Sequence, residues 1–343
     1  MSLLVFGLLV VSAVMHAAWN VLLKTAGDPL RTSARAVVTG TLVAVPLAAV
    51  GWLATGRPAI PAEGIGLAVA SGLGEAVYFV CLSAAYRRGD LSLVYPIARG
   101  TAPLLAVASG VLLLGERLGP LGSAGVVALL AGLLAVRRPW DALASPARSG
   151  SGGRLDAADP VASRRRREAV LLALATGVMI ATYSSLDRVG SRLVVPWLYV
   201  TLLWVVTSVA LLGWIRLVES GPAGPPTIPG DVAEPVPALG TPTLGGAGDG
   251  AAASALVATP RAADWPRSVA IGLLLLAAYL LVLVAFTLAP LSAVAPLRES
   301  AVVFASGWGA LRLGEASGRR DAAWRVGGAA LIVVGAVLLA FER

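Results

Sequence analysis

The chain has 343 residues, 57% of them hydrophobic and 13% charged, with a mean hydropathy of +0.82. Soluble domains are about 45–50% apolar and about 25% charged, so a soluble globular fold is excluded and lipid is the solvent for most of the chain. The net charge of +8 does not make a nucleic-acid surface, because the basic residues lie between apolar runs, where they orient a chain in a bilayer.

Cys81 is the only cysteine and His16 the only histidine. That count excludes an internal disulfide and a zinc site of Cys/His type. A nucleophile–histidine pair would have to use His16 itself. Lys24 is the only lysine among 27 basic residues, which, with the abundance of Ala and Gly, fits a GC-rich bacterial coding sequence.

A bilayer crossing takes about 20 mostly apolar residues. Ten such runs are read, over residues 3–23, 34–54, 65–85, 92–114, 120–136, 169–186, 196–217, 268–288, 291–311 and 323–341. The first has no basic leader and outruns the apolar core of about 7–15 residues typical of a signal peptide, so it is expected to be a span. It carries Ser12, His16, Asn20 and Lys24 at every fourth position, with Trp19 beside them. Such a stripe shares one helix face and should point into the protein. His16 is there either to carry a proton or to make a helix-packing hydrogen bond.

The third run places Glu75, Tyr78, Phe79 and Leu82 on one face, and Glu75 is a candidate proton-coupling group. In the fourth, Pro96, Gly100 and Pro103 surround Arg99. Proline frees a carbonyl one turn back, and broken backbone is tolerated at membrane depth only against protein or a wet cavity. Residues 137–167 contain 145-SPARSGSGG-153 and 164-RRRR-167. This stretch is expected to be a disordered basic linker drawn to lipid headgroups. The sixth run holds Tyr183, with Asp187 and Arg188 near its end as an interface anchor. Residues 218–265 are Gly/Pro-rich and are also expected to be disordered. In the ninth run, Pro290 and Pro296 lie near Arg298 and Glu299.

The two halves repeat. Displaced by 200 positions, 91-LSLVYPIARG-100 lies over 291-LSAVAPLRES-300, and Ala70 and Gly72 meet Ala270 and Gly272. At a displacement of 199, 114-LGE-116 lies over 313-LGE-315. Residues 1–136 and 168–343 are therefore read as two five-helix repeats. Lys and Arg favour one set of alternating loops by 20 to 5, which places that set in the cytoplasm and both termini outside. Equivalent loops have opposite charge preference: Arg87 and Arg88 follow the third run but nothing basic follows the eighth, while Arg117 alone follows the fourth and four arginines follow the ninth. Five is odd, so the second half enters upside down. The expected fold is an all-α integral membrane protein of about ten helices in two inverted repeats, an arrangement that puts a site between the halves.

Ionisable residues inside a membrane cost about 2.5–3.5 kcal/mol each on insertion scales. The clear cases are Glu75, Arg99, Arg298 and Glu299. Arg99 and Glu299 are equivalent positions, so Arg99 is expected to pair with Glu299 or Glu75 across the halves. The pair either clamps broken helices together or opens to let Arg99 take an anionic group of a substrate, for which its planar fork is suited.

The segments 16-HAAWNVLLKTAGDP-29, 85-AYRRGDLSLVYPIARGTAPLLAVASGVLLLGERL-118 and 311-LRLGEASGRRDAAWRVGGAALIVVGAVLL-339 resemble the EamA-like branch of the drug/metabolite transporter superfamily. That family ends the fourth helix of each repeat in a Gly-Glu-Arg-like sequence. Gly115-Glu116-Arg117 fits, whereas Gly314-Glu315-Ala316 lacks the basic residue. The resemblance implies ten helices in two inverted repeats and a secondary carrier of small metabolites. It implies a central cavity from helices one, three, four, six, eight and nine, carried here onto His16, Trp19, Asn20, Glu75, Tyr78, Arg99, Tyr183, Arg298 and Glu299. Members handle amino acids, nucleotide-linked sugars, cations and other solutes, so no single substrate is implied.

The leading expectation is alternating-access transport of a small amino-acid-like or anionic metabolite across a bacterial cytoplasmic membrane. Export is favoured over import, protons are the candidate coupling ion, lipids are the surrounding partner, and the chain is a monomer or homodimer. No cofactor, metal or catalytic residue is expected. A lipid-linked flippase on the same fold and a non-transporting membrane partner are the alternatives. One His and one Cys argue against an intramembrane enzyme, and the chain has no Walker-type phosphate loop for ATP-driven transport.

Overall fold

The computed structural model describes residues 3–24, 28–88, 91–137, 160–220, 265–299 and 319–341. Every regular element among them is a helix. They are α1 (Leu3–Lys24), α2 (Pro29–Ala54), α3 (Ala62–Arg88), α4 (Leu91–Leu112), α5 (Pro120–Arg137), α6 (Pro160–Leu193), α7 (Pro196–Ser220), α8 (Trp265–Leu288), α9 (Leu291–Glu299) and α10 (Arg319–Phe341).

Local chemistry sets the helix ends. Asp28 caps α2, its carboxylate accepting from the Leu30 and Arg31 N–H groups at 3.0 and 3.1 Å, while Pro29 occupies the first helical position, where no N–H is needed. Past the end of α4, Gly115 takes φ +64°, a left-handed conformation that glycine adopts without a Cβ clash. That turn aims Glu116 back across the molecule.

Each of the ten expected runs contains a helix, with differences at the ends. α6 begins at Pro160, not near 169, so 164-RRRR-167 is helical and not part of a disordered linker. Proline at the helix start and an Arg164–Glu168 ion pair at 3.0 Å explain the extra turns. Glu168 also meets Arg88 of α3 at 3.2 Å. The expected disorder in the remainder of 137–167 and in 221–264 lies outside the described residues, as do positions 300–311 of the ninth run. α2, α3, α6, α7 and α8 are long and apolar enough to cross a bilayer; α1, α4, α5 and α10 carry shorter apolar stretches. Leu42, Leu47, Val127, Val209 and Leu217 are exposed on outer faces, where acyl chains are the natural solvent.

The helices pack in matched sets. α3 lies on α6, and α1 on α8; α3 lies on α7, and α2 on α8. α5 packs along α10, α4 against α9, and α2 against α7. Without a hydrophobic driving force between helices in lipid, close backbone approach through small residues supplies the contact. A Cβ at Gly72 would sit 2.5 Å from the Leu203 carbonyl oxygen, and one at Gly272 would strike the Ala36 carbonyl. Along α5 and α10, a Cβ at Gly132 would come within 2.6 Å of the Gly328 oxygen and one at Gly335 within 2.6 Å of the Gly125 oxygen. Residue numbers rise along one helix as they fall along the other, so α5 and α10 are antiparallel.

Candidate functional site

The buried side chains of α1, α3, α4, α6, α8 and α9 close around one small cavity. His16, Trp19, Glu75, Tyr78, Arg99, Tyr183 and Arg298 all line it, joined by Phe79 and Tyr279. Of the nine residues expected at the site, these are seven. Asn20 and Glu299 lie on α1 and α9, but their side chains are outside the described residues, and so is the expected Arg99–Glu299 pair.

The polar stripe of α1 faces inward as expected. Ser12 Oγ donates to the Ala278 carbonyl at 2.8 Å and pins α1 to α8. One turn further, the Trp19 indole N–H points at His16 Nδ1 across 3.1 Å, the two rings meeting edge-on with centroids 4.8 Å apart. Arg99 Nη2 lies 3.5 Å from His16 Nε2 and donates to the Tyr78 hydroxyl at 3.4 Å. Trp and Arg are donor-only groups, and a neutral imidazole offers one acceptor nitrogen. His16 therefore accepts from Trp19 or from Arg99 at any moment, not from both.

Arg99 and Arg298 are each 5% exposed and Glu75 is 4% exposed. Burial of such groups is costly unless each is compensated. Glu75 accepts from Thr207 Oγ1 at 3.1 Å. The expected alternative of an Arg99–Glu75 ion pair is not among the contacts of Glu75, whose carboxylate is reached by the hydroxyl of α7. Tyr78, Tyr183 and Tyr279 form an aromatic wall, with centroids 6.0 Å apart for the edge-on Tyr78–Tyr183 pair and 6.5 Å for the tilted Tyr183–Tyr279 pair.

Asp187 was expected to be an interface anchor at a span end. It is instead 1% exposed, because α6 runs on to Leu193 and carries it inside the bundle. Ser71 Oγ and the Tyr199 hydroxyl donate to its Oδ1 at 2.5 and 3.2 Å, and the Tyr279 hydroxyl donates to its Oδ2. Its partner in the anchor reading, Arg188, turns the other way, to Glu116 at 3.2 Å and to the Phe286 carbonyl.

Glu116 was read as boundary structure and has a definite task at that boundary. Its carboxylate accepts from the Leu291 and Ser292 N–H groups at 2.6 and 2.9 Å and from Ser292 Oγ at 2.8 Å. It thus caps α9 from the end of α4, where anionic charge is favoured. The cap fixes the element that delivers Arg298 to the cavity.

The sequence comparison bears on the first half of this arrangement. Residues 3–138 match the EamA-like transporter family. That family belongs to the drug/metabolite transporter superfamily. The EamA-like segment contains α1 to α5 and supplies His16, Trp19, Glu75, Tyr78, Phe79 and Arg99. The match covers less than half of the chain, and the long apolar helices fit a multi-pass membrane protein. No curated relative matches the chain. A solved protein crystal structure matches with a TM-score of 0.58 at 20% identity, covering 98% of this chain and 95% of that one. The likeness in fold extends beyond the EamA-like segment.

Tyr279 and Asp187 were missed at the sequence level. Tyr279 sits in the most apolar of the spans, with no charge nearby to mark it. It lies 201 positions after Tyr78, close to the repeat displacement, which is the signal that would have found it. Asp187 was hidden because the sixth run was ended at residue 186, one position before it.

Proposed function

We propose that the protein is a secondary active transporter that moves a small amino-acid-like or anionic metabolite by alternating access across a bacterial cytoplasmic membrane, in the export direction and with protons as coupling ion. Residues 1–136 and 168–343 are its two five-helix repeats, inverted relative to each other. One observation carries the reading: charged groups from both halves converge on one cavity, each of the two arginines following a proline in its own helix. Arg99 follows Pro96 on α4, and Arg298 follows Pro296 on α9.

The packing supports the inverted repeat. Exchanging each helix with the one five places on turns the α3–α6 contact into α8–α1 and the α3–α7 contact into α8–α2, while α2–α7, α4–α9 and α5–α10 map onto themselves. Antiparallel packing of the self-equivalent pair α5–α10 is what a two-fold axis in the membrane plane produces. An axis along the membrane normal would make that pair parallel. The cavity is small and nearly filled by its own lining. Arg99 and Arg298 are suited to a carboxylate or phosphate, Glu75 to an ammonium group, and the tyrosine wall to an apolar body.

The test is thermal stability of purified protein in detergent against a panel of metabolites and lipids, in wild type and Arg99→Gln. A ligand at 100 times its dissociation constant stabilises the native state by about 2.7 kcal/mol. A soluble anionic or zwitterionic metabolite should shift wild type and leave Arg99→Gln unmoved. Equal shifts in both proteins would remove Arg99 from the site, and shifts from lipids alone would replace the metabolite with a lipid cargo.

A further inference from the structure

We propose that Asp187 is the residue at which the coupling proton is taken up and released, with the Tyr279 hydroxyl as its connection to the cavity. The inference rests on the transporter reading and assigns its coupling site.

Three observations converge on Asp187. Its carboxylate is buried, and its hydrogen bonds come from Ser71, Tyr199 and Tyr279 on α3, α7 and α8. All three donors are neutral hydroxyls, and no cation lies within ion-pair distance of Asp187 among the described residues. A hydroxyl both donates and accepts. A shell of hydroxyls can therefore hold either an ionised or a protonated carboxyl, whereas a shell of guanidinium groups can hold only the ionised one. Finally, Tyr279 belongs to two places at once, lining the cavity while its hydroxyl touches Asp187.

The groups facing Asp187 are few. Glu75 and Ser71 come from α3, Tyr199 from α7, Tyr279 from α8, and Arg298 from α9 as the cation that acts on it through space. α4 contributes Arg99 to the same cavity, and α6 itself carries Tyr183 there and Arg188 on its other side. Proton transfer balances simply. A proton arriving from the cavity binds the Tyr279 oxygen, and the hydrogen already on that oxygen passes to Asp187 Oδ2, so the tyrosine stays neutral. Once protonated, the carboxyl has one oxygen that donates. It can then no longer accept from all three hydroxyls as it now does. The Tyr279–Asp187 hydrogen bond reverses its direction while Oδ1 still accepts from Ser71 and Tyr199, so the same shell holds the carboxyl with and without the proton.

Infrared difference spectroscopy across a pH titration of the detergent-purified protein reads the carboxyl C=O stretch directly. The expected result is a reversible acid band in wild type that is lost in Asp187→Asn and retained in Glu75→Gln. Tyr279→Phe should displace its midpoint, and this variant carries the test if Asp187→Asn does not fold. A full band in Asp187→Asn, no titrating band in wild type, or an unmoved midpoint in Tyr279→Phe would overturn the assignment. So would removal of the band by sodium chloride at fixed pH, which would make this a sodium site. The band reports the proton itself and needs no substrate. An absence of flux in proteoliposomes would therefore sink the transporter reading while leaving the protonation result intact.

Discussion

At the scale of single residues, Glu75, Asp187 and Glu116 are each held by named partners, and removing a partner should have a legible effect. Glu116 joins α4 to the start of α9 and to Arg188, the two side chains being only 8% and 13% exposed. Truncation of one member of a buried ion pair strands the other, typically at a cost of about 3–5 kcal/mol. Glu116→Ala should therefore lower the denaturation midpoint strongly, read by chemical unfolding in detergent, and an unchanged midpoint would refute the cap. Thr207→Val removes the hydroxyl that Glu75 uses. It should cost about 1–3 kcal/mol, the penalty for an unsatisfied buried acceptor, and a Glu75→Gln background should reduce that loss. The intramembrane charges were readable in the sequence because charge is rare in lipid. Their partners were not, because Thr207 and Tyr279 look like ordinary residues of apolar spans.

At the scale of helices, small residues decide which faces meet. Gly132 faces the Gly328 backbone across α5 and α10, whereas a Cβ at Gly7 of α1 would meet nothing within 4 Å. Gly132→Ala should destabilise by about 1–3 kcal/mol through overpacking. Gly7→Ala should leave stability unchanged or raise it, since alanine costs a helix less entropy than glycine. Equal melting shifts for the two variants would mean that the α5–α10 approach is looser than described. Helix existence was legible from apolar run length, and helix ends were not. α6 continues for two turns beyond its expected span at each end; at the start, arginines are good helix formers and Arg164 is paired with Glu168 on the next turn.

At the scale of the whole molecule, the proposed inverted repeat makes a topological prediction. Arg88 ends α3 and Leu288 ends α8, at equivalent places in the two halves. In a Cys81→Ser background, Arg88→Cys and Leu288→Cys should react with an impermeant maleimide from opposite sides of the membrane, with Leu288→Cys labelled from outside. Labelling from the same side would overturn the inversion. The proposal does not depend on the 20% identity of the solved structure, which speaks to fold alone.

The apolar helical character, the ten helices among the described residues and seven of the residues that line the cavity were legible in the sequence alone. Lipid forces apolar length onto every span and makes each interior charge conspicuous, so both can be counted along one chain. The hydroxyl shell of Asp187, the Glu116 cap on α9 and the placing of Trp19 and Arg99 on opposite nitrogens of His16, only one of which accepts, were decided only by the tertiary structure. Each joins groups from different helices, and polar pairing inside a bundle is set by distance and direction across helices, which no linear spacing records.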